Sequence, residues 1–254
     1  MTVVAEAPRL PPAYRLVARE AVGSTNDEAR ALAREGAEDG TLVWALEQTA
    51  GRGRQGREWA SPPGNLYLSL VLRPECPPRE AVQLAFVAAL GAAGMLGLHV
   101  PPLMPLRFKW PNDILLGPRK VAGILIEAEG QGDTLDFMIL GVGVNLVSHP
   151  PEARIPATDL KTDTGETVSA EEALEGFARH FMIWTNRWLE GGFAPVREAW
   201  LAHAAGKGER IEVRLPNQTL AGTFADLDAT GALLLDTAEG RRTITAGDVH
   251  LAGM

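Results

Sequence analysis

The chain has 254 residues, 46% of them apolar and 22% charged, with a formal net charge of −8. That composition belongs to a folded globular protein with one sizeable core, or a main unit plus a small one, and excludes a disordered chain. The acidic balance argues against a surface that coats nucleic acid, and a single cysteine, Cys76, excludes an internal disulfide and a cysteine-rich zinc site.

Met1 to Glu20 lacks a basic segment followed by an apolar core and so does not read as a signal peptide. Tyr14 to Val22 is a first strand. Gly23 to Glu28 opens a helix, with Thr25 and Glu28 spaced as a capping box and Gly36 as its stop. Thr41 to Glu47 is a short strand with a β-branched and aromatic bias. Gly51-Arg52-Gly53-Arg54-Gln55-Gly56-Arg57-Glu58-Trp59 follows as a loop. After the turn Ser61 to Gly64, Leu66 to Leu72 is a strand. Pro74 to Pro78 is a loop in which Cys76 is incidental. Arg79 to Leu98 is an apolar helix. Its core, Ala81 to Leu98, is interrupted by Gln83 and rich in Ala and Gly, so it reads as buried rather than membrane-spanning. Together these features point to a cytoplasmic protein.

Leu106 to Trp110 and Val121 to Ala128 are strands joined by a proline-led turn, and Leu135 to Val144 is another. Ser169 and Glu172 form a second capping box. It opens a helix carrying Leu174, Phe177, Phe181, Trp184 and Trp188 at helical spacing and stopping at Gly191-Gly192. Ala204 to Gly208 marks a boundary. Beyond it, short β-like runs at Arg210 to Leu215, Leu220 to Leu227, Ala232 to Asp236 and Arg242 to Ala246 predict a small β-barrel. The expected division is a main unit, residues 1–205, and a small C-terminal unit, residues 206–254.

Five clusters carry candidate chemistry. The loop from Gly51 to Arg57 holds three glycines and three arginines. Glycine lets backbone pass close to a ligand, and arginine offers forked donors to carboxylate and phosphate oxygens. A solvated basic loop or an RNA-binding arginine-glycine segment are the alternatives, although RNA binders usually add aromatic interleaving or long basic tracts. Lys109-Trp110-Pro111-Asn112-Asp113 puts a cation, an amide and a carboxylate on one turn. Asp113 is an oxygen ligand for a nucleotide-bound Mg2+, or else part of an Asn-Asp turn beside an exposed lysine. Lys120 to Glu127 is an apolar strand opened by a lysine, in which Gly123 lets something flat lie on the strand; a buried strand with a surface lysine is the plainer reading. It is not a P-loop, because the spacing and the Ser/Thr after the lysine are missing. Ser24-Thr25-Asn26 can hydrogen-bond a polar ring or simply cap a helix. Gly141 to Asn145 ends a strand whose glycines permit close approach. No Ser-His-Asp or Cys-His arrangement stands out, and His99, His149, His180, His203 and His250 lie outside these clusters.

In combination and order, the strings Gly51 to Trp59, Gly64 to Ser69, Lys109 to Asp113, Lys120 to Leu125 and Gly141 to Asn145 resemble the biotin–protein ligases, over roughly residues 14 to 253. The resemblance implies an α+β fold: a mixed-sheet, class II synthetase-like catalytic domain with a small C-terminal SH3-like β-barrel. It implies ATP and biotin as substrates, Mg2+ as the metal, and a biotin carboxyl carrier protein as acceptor. By position, Ser24, Thr25, Asn26, Gln48 and Gly123 bind biotin, and Arg52, Gly53 and Arg54 wrap its carboxylate and the phosphate. Lys120 contacts the reacting oxygens. Trp59 lies against adenine and Asn145 near the nucleotide. Lys109, Asn112, Arg57 and Asp113 face the triphosphate and its metal, with Lys120, Arg54, Arg57 and Lys109 as the catalytic set.

Family members that repress transcription carry a helix-turn-helix domain ahead of the catalytic part. Here the catalytic pattern begins about 20 residues in, so DNA binding is not expected. A homodimer is compatible with the family, and no membrane association is expected. The arginine-glycine loop is expected to be mobile and to order over an acyl-adenylate. The competing readings are a lipoate or octanoate ligase, a non-catalytic biotin or nucleotide sensor, and an RNA-binding protein.

Overall fold

The computed structural model describes residues 8–151 and 156–251. The first seven residues, and the outermost ends of the two expected units, lie outside it. The elements are β1 (Arg15–Val22), α1 (Thr25–Arg34), β2 (Thr41–Gln48), β3 (Leu66–Leu72), α2 (Pro78–Ala81), α3 (Leu84–Leu96), β4 (Leu106–Lys109), β5 (Asp113–Leu116), β6 (Arg119–Gln131), β7 (Thr134–Val144), α4 (Leu160–Thr164), α5 (Ala170–Gly191), α6 (Phe193–Ala202), β8 (Arg210–Arg214), β9 (Thr219–Leu227), β10 (Leu233–Thr237), β11 (Gly240–Ile244) and β12 (Asp248–Leu251).

Seven strands form one sheet in the order β1-β2-β3-β7-β6-β5-β4. β1 and β2 are parallel, and every other pair is antiparallel, so the sheet is mixed. Side chains alternate across it, as the two-residue period of a strand requires. Leu42 and Trp44 of β2, Leu66, Leu68 and Leu70 of β3, and Met138, Leu140 and Val142 of β7 join the large core with α3 and α5. Val43, Val71, Phe137 and Ile139 face the other way and meet Ala29 and Ala33 of α1 in a second, smaller core. Further along that second face, β6 and β7 carry Gly123, Gly141 and Gly143, and Gly123 and Gly143 are direct cross-strand partners. The sheet is therefore thick and apolar on one face, and bare backbone on part of the other.

Helix α3 is apolar almost throughout because both of its sides are covered, by the sheet and by α5. The stretch Pro78–Leu96 is long and apolar enough to cross a membrane, yet 67% of it is buried inside this fold, as a core helix would be. Helices α3 and α5 touch where side chains are absent. A Cβ on Gly91 would stand 3.0 Å from the Phe181 backbone. The capping box of α5 forms as expected, Ser169 Oγ accepting from the Glu172 N–H and Glu172 accepting from the Ser169 N–H.

Several expectations are corrected. The single helix over 79–98 is two, because the chain tightens at Val82-Gln83 into i→i−3 hydrogen bonds. There Gln83 turns inward, accepting from Trp188 Nε1 and donating to the Ala229 carbonyl. The turn expected between Leu106 to Trp110 and Val121 to Ala128 contains a further strand, β5, whose four residues are too few for their period to be read. Helices α4 and α6 and strand β12 also escaped the sequence pattern. The helix-opening capping box at Thr25 and Glu28 does not form. Ser24 is the N-cap and gives no side-chain cap, Thr25 bonds to Gln48, and Glu28 pairs with Arg19.

The C-terminal strands form an antiparallel sheet ordered β11-β10-β9-β8-β12, with β11 and β12 at its two edges. Its core residues Ile211, Val213, Phe224, Leu227, Leu233, Leu235 and Val249 belong to the same buried cluster as α3 and the large sheet. Polar ties cross the same seam: Trp110 Nε1 donates to the Gly231 carbonyl, Arg197 Nε to the Leu227 carbonyl, and Arg197 pairs with Asp226.

The α3–α5 contact gives a direct test. Gly91→Val would drive a branched side chain into the Phe181 backbone, and we expect a loss of about 1–3 kcal/mol, read as a lower denaturant midpoint. Gly36→Ala sits in open space but at φ 95, and should cost less.

Candidate active site

The bare face of the large sheet forms the floor of a cavity of about 560 Å3. All fifteen residues singled out from sequence line it: Ser24, Thr25, Asn26, Gln48, Arg52, Gly53, Arg54, Arg57, Trp59, Lys109, Asn112, Asp113, Lys120, Gly123 and Asn145. The floor has a physical reason. A Cβ on Gly143 would come within 2.6 Å of Trp59 Nε1, one on Gly123 within 3.2 Å of the same indole, and one on Gly141 within 2.2 Å of Asn26 Oδ1. The flat group that Gly123 admits is thus Trp59 itself. Lys120 Nζ lies 5.1 Å from the centre of its ring, within cation–π range. The Trp59 N–H is buried with no hydrogen-bond partner among the described residues. A buried donor without an acceptor is costly, so this edge of the cavity suits a ligand that brings one.

One end of the cavity is neutral and polar. Gln48 Oε1 accepts from the Thr25 N–H at 2.8 Å and the Thr25 hydroxyl at 3.0 Å, while its amide donates to Ser61 Oγ at 2.9 Å. Ser69 Oγ lies 2.8 Å from the Thr25 hydroxyl and 2.6 Å from Asn26 Oδ1, and the Asn26 amide donates to Glu127 at 2.7 Å. Gln48 and Asn26 each spend one of two amide N–H groups in this network, and so each retains a donor for a ligand. Nothing in the local sequence marks the side chains of Ser61, Ser69 and Glu127 as members of this network. Ser69 closes a string, Gly64 to Ser69, that was recognised as a motif, but nothing local tells that its hydroxyl meets α1.

The other end is charged. Five cations line the cavity, Arg52, Arg54, Arg57, Lys109 and Lys120, against three carboxylates, Glu58, Asp113 and Asp248. Asp113 sits between two lysines, 2.8 Å from Lys109 Nζ and 2.5 Å from Lys120 Nζ. The Lys109 and Asp113 side chains are each only 7% exposed, so Lys109 is not the exposed lysine of a simple turn. Burial alone would raise the Asp113 carboxyl; Lys120 and then Lys109 outweigh it and hold it below its ordinary 3.8. Both carboxylate oxygens carry an ammonium group, and no group of three His, Cys, Asp or Glu residues gathers among the described residues. In this arrangement Asp113 therefore does not fit a metal ligand, because a Mg2+ would first have to displace an ammonium.

The arginine-glycine segment is a short hairpin rather than an open loop. Trp59 N–H donates to the Gly51 carbonyl, Gly53 N–H to the Arg57 carbonyl, and Arg52 bridges Glu58 across the strands. Its tip turns through left-handed backbone at Gln55 (φ 57) and Gly56 (φ 71). Arg52 leans outward onto Asp27 at 2.5 Å and Glu127 at 3.5 Å. Arg57 pairs with Asp248. Arg54 instead meets neutral oxygens, Asn112 Oδ1 at 3.3 Å and the Gly247 carbonyl at 3.4 Å. Burial lowers its pKa, and the nearby Asp248 and Asp113 carboxylates oppose that shift. Asn112 is anchored by its amide to the Ile124 carbonyl at 2.6 Å, and Asn145 by its amide to the Thr158 carbonyl at 2.9 Å. Near this region His149 pairs with Asp159, the N-cap of α4, at 2.6 Å.

The lysine–aspartate trio predicts both a substitution effect and a pH effect. Asp113→Asn leaves two cations facing each other in a buried site and should cost on the order of 3–5 kcal/mol. The folded carboxyl titrates below 3.8, so its contribution is complete above that value and is lost as the pH falls through the lower, folded value. Thermal midpoints should therefore stay level down to about pH 4 and fall below it, with a shallower acid limb in Asp113→Asn.

Comparison with known proteins places this geometry. Residues 57–202 match the model of the biotin/lipoate A/B protein ligase family, and residues 207–251 match the biotin protein ligase C terminal domain. The biotin–[acetyl-CoA-carboxylase] ligase of Paracoccus denitrificans is 43% identical over 235 residues, covering 91% of this chain and 98% of that protein. The bifunctional ligase/repressor of Bacillus subtilis is 33% identical over 93% of this chain and 74% of its own length. Among solved structures, the biotin protein ligase of Aquifex aeolicus in complex with biotin and ATP superposes with a TM-score of 0.79 at 28% identity, covering 93% of this chain and 97% of that one. With matching models over most of its length and a relative of this identity, the chain belongs to the biotin/lipoate A/B protein ligase family, as a biotin–protein ligase.

Proposed function

We propose that the chain is an ATP-dependent ligase that activates biotin as biotinyl-5'-AMP and transfers it to a lysine of a biotin carboxyl carrier protein. The observation that carries this reading is the division of one cavity into a neutral hydrogen-bonding end and a cationic end over a glycine floor. In this reading Ser24, Thr25, Asn26 and Gln48 hold the ureido head group, Gly123 lines the acyl path, and Trp59 stacks against adenine. Arg52, Gly53 and Arg54 close on the biotin carboxylate and the α-phosphate. Lys120 bridges the reacting oxygens. Lys109, Arg57 and Asn112 take the remaining phosphates, and Asn145 the nucleotide. Residues 1–205 form the catalytic unit and residues 206–254 a small β unit beside it.

The first step joins a biotin carboxylate oxygen to the α-phosphorus and releases pyrophosphate. In the second, the acceptor lysine amine attacks the acyl carbon, AMP leaves, and the amine gives up a proton as the amide forms. Neither step needs a covalent enzyme nucleophile. The chain must bring two anions together, hold them in line and keep water off the mixed anhydride. The five cations answer the first need and the arginine hairpin, as a cover, the last. Asp113 fixes the two lysines.

Incubation with biotin, ATP and Mg2+ should yield biotinyl-AMP by mass spectrometry, and pyrophosphate exchange should exceed that with lipoate or octanoate; exchange faster with lipoate would overturn the biotin assignment. Lys120→Ala should lower that exchange on the order of a hundredfold or more while circular dichroism stays unchanged. We also expect proteolysis within residues 51–57 to slow when biotin and ATP are both present.

A further inference from the structure

Strand β12 begins at the cavity wall, and three consecutive residues there each meet a different cation. Arg54 donates to the Gly247 carbonyl at 3.4 Å, Arg57 pairs with the Asp248 carboxylate, and Lys109 Nζ donates to the Val249 carbonyl at 3.5 Å. The two carbonyl contacts are long and weak; the carboxylate–guanidinium pair is the strong one. Asp248 also lines the cavity itself. A carboxylate among cations that await an anionic ligand has to be accounted for, because a phosphate oxygen and Asp248 repel each other if they share Arg57.

We propose that Asp248 is a stand-in anion: it holds Arg57 while the cavity is empty, and a nucleotide phosphate replaces it, releasing the start of β12 from the cavity wall. The inference rests on the nucleotide reading above and adds to it a positioning residue, one that sets nucleotide affinity and reports occupancy to the C-terminal sheet. The fold permits the movement. Among the described residues β12 is an edge strand of four residues paired with β8 alone; Gly247 just before it is buried, but Thr245 and Ala246 ahead of that are exposed, so its first residues shift without breaking the rest of the sheet. Val249 is buried and anchors the strand while its start swings. Arg57 and Asp248 side chains are 34% and 19% exposed, which leaves the pair accessible to an incoming ligand.

The test uses the full chain and ATP without biotin, so that no reaction follows. Asp248→Asn should bind ATP about two- to fivefold more tightly, the fold-change of a partly exposed ion pair, with Asp248→Glu returning the wild-type affinity. Amide exchange across residues 247–251 should quicken when ATP is added to the wild type. In Asp248→Asn it should be fast already, with ATP adding nothing. The wild-type exchange needs no variant and decides the matter even if Asp248→Asn folds poorly. Wild-type chain that binds ATP with no change in that exchange, or Asp248→Asn that binds ATP no more tightly, refutes the stand-in role alone. A wild-type chain that binds no ATP at all sinks the nucleotide reading and this one with it.

Discussion

A strand inside a sheet ordinarily lines both faces with side chains. At Gly123, Gly141 and Gly143 this sheet does not, and the site exists because of it. The three glycines lie on adjacent strands in register, so their missing side chains form one continuous bare patch. Trp59 and Asn26 occupy the edges of that patch at distances no Cβ would tolerate. The opposite face of the same strands is packed against α3 and α5. The fold thus makes a rigid floor by placing its apolar mass on one side and leaving backbone on the other.

A floor able to receive anions needs cations above it, and cations at close quarters repel one another until the ligand arrives. The chain answers this with internal counter-ions of graded accessibility. Lys109 and Lys120 share the buried Asp113, Arg57 takes the half-buried Asp248, and Arg52 takes Asp27 and Glu127 near the mouth. Arg54 is met by neutral oxygens instead. A partly desolvated guanidinium that no carboxylate among the described residues hydrogen-bonds gains most from an incoming phosphate or carboxylate. In the proposed reading the pattern orders the cations: Arg54 is ready, Arg52 and Arg57 must be exchanged from partly exposed partners, and the lysines stay clamped.

Long apolar or cap-bearing elements were legible in the sequence because their evidence is local. The strand Leu66–Leu72 has the bounds its residue pattern predicts, and the Ser169 capping box opens α5 as its spacing requires. Short elements were not. β5 spans four residues and cannot display a period. The Thr25–Glu28 box failed for a different reason: its hydroxyl is needed by Gln48, 23 residues away, and a tertiary hydrogen bond displaced the local one. The α+β class with a mixed sheet is as expected, and the C-terminal strands are antiparallel as their turns suggested.

The candidate residues were readable because the chemistry is written in contiguous strings, Gly51 to Trp59, Lys109 to Asp113 and Lys120 to Leu125, whose residue types and order need no folding to be recognised. Sequence alone therefore determined the family resemblance and fifteen of the residues that line the cavity, Asp248 not among them. Only the tertiary structure decided what those residues touch. Asp248 lies 191 positions from Arg57, and Glu127 lies 101 from Asn26. No local pattern encodes such pairs, because a counter-ion need only arrive at the right place in space. The sheet register, which sets Gly123 opposite Gly143, and the packing of the C-terminal sheet against α6 bring those partners to the site.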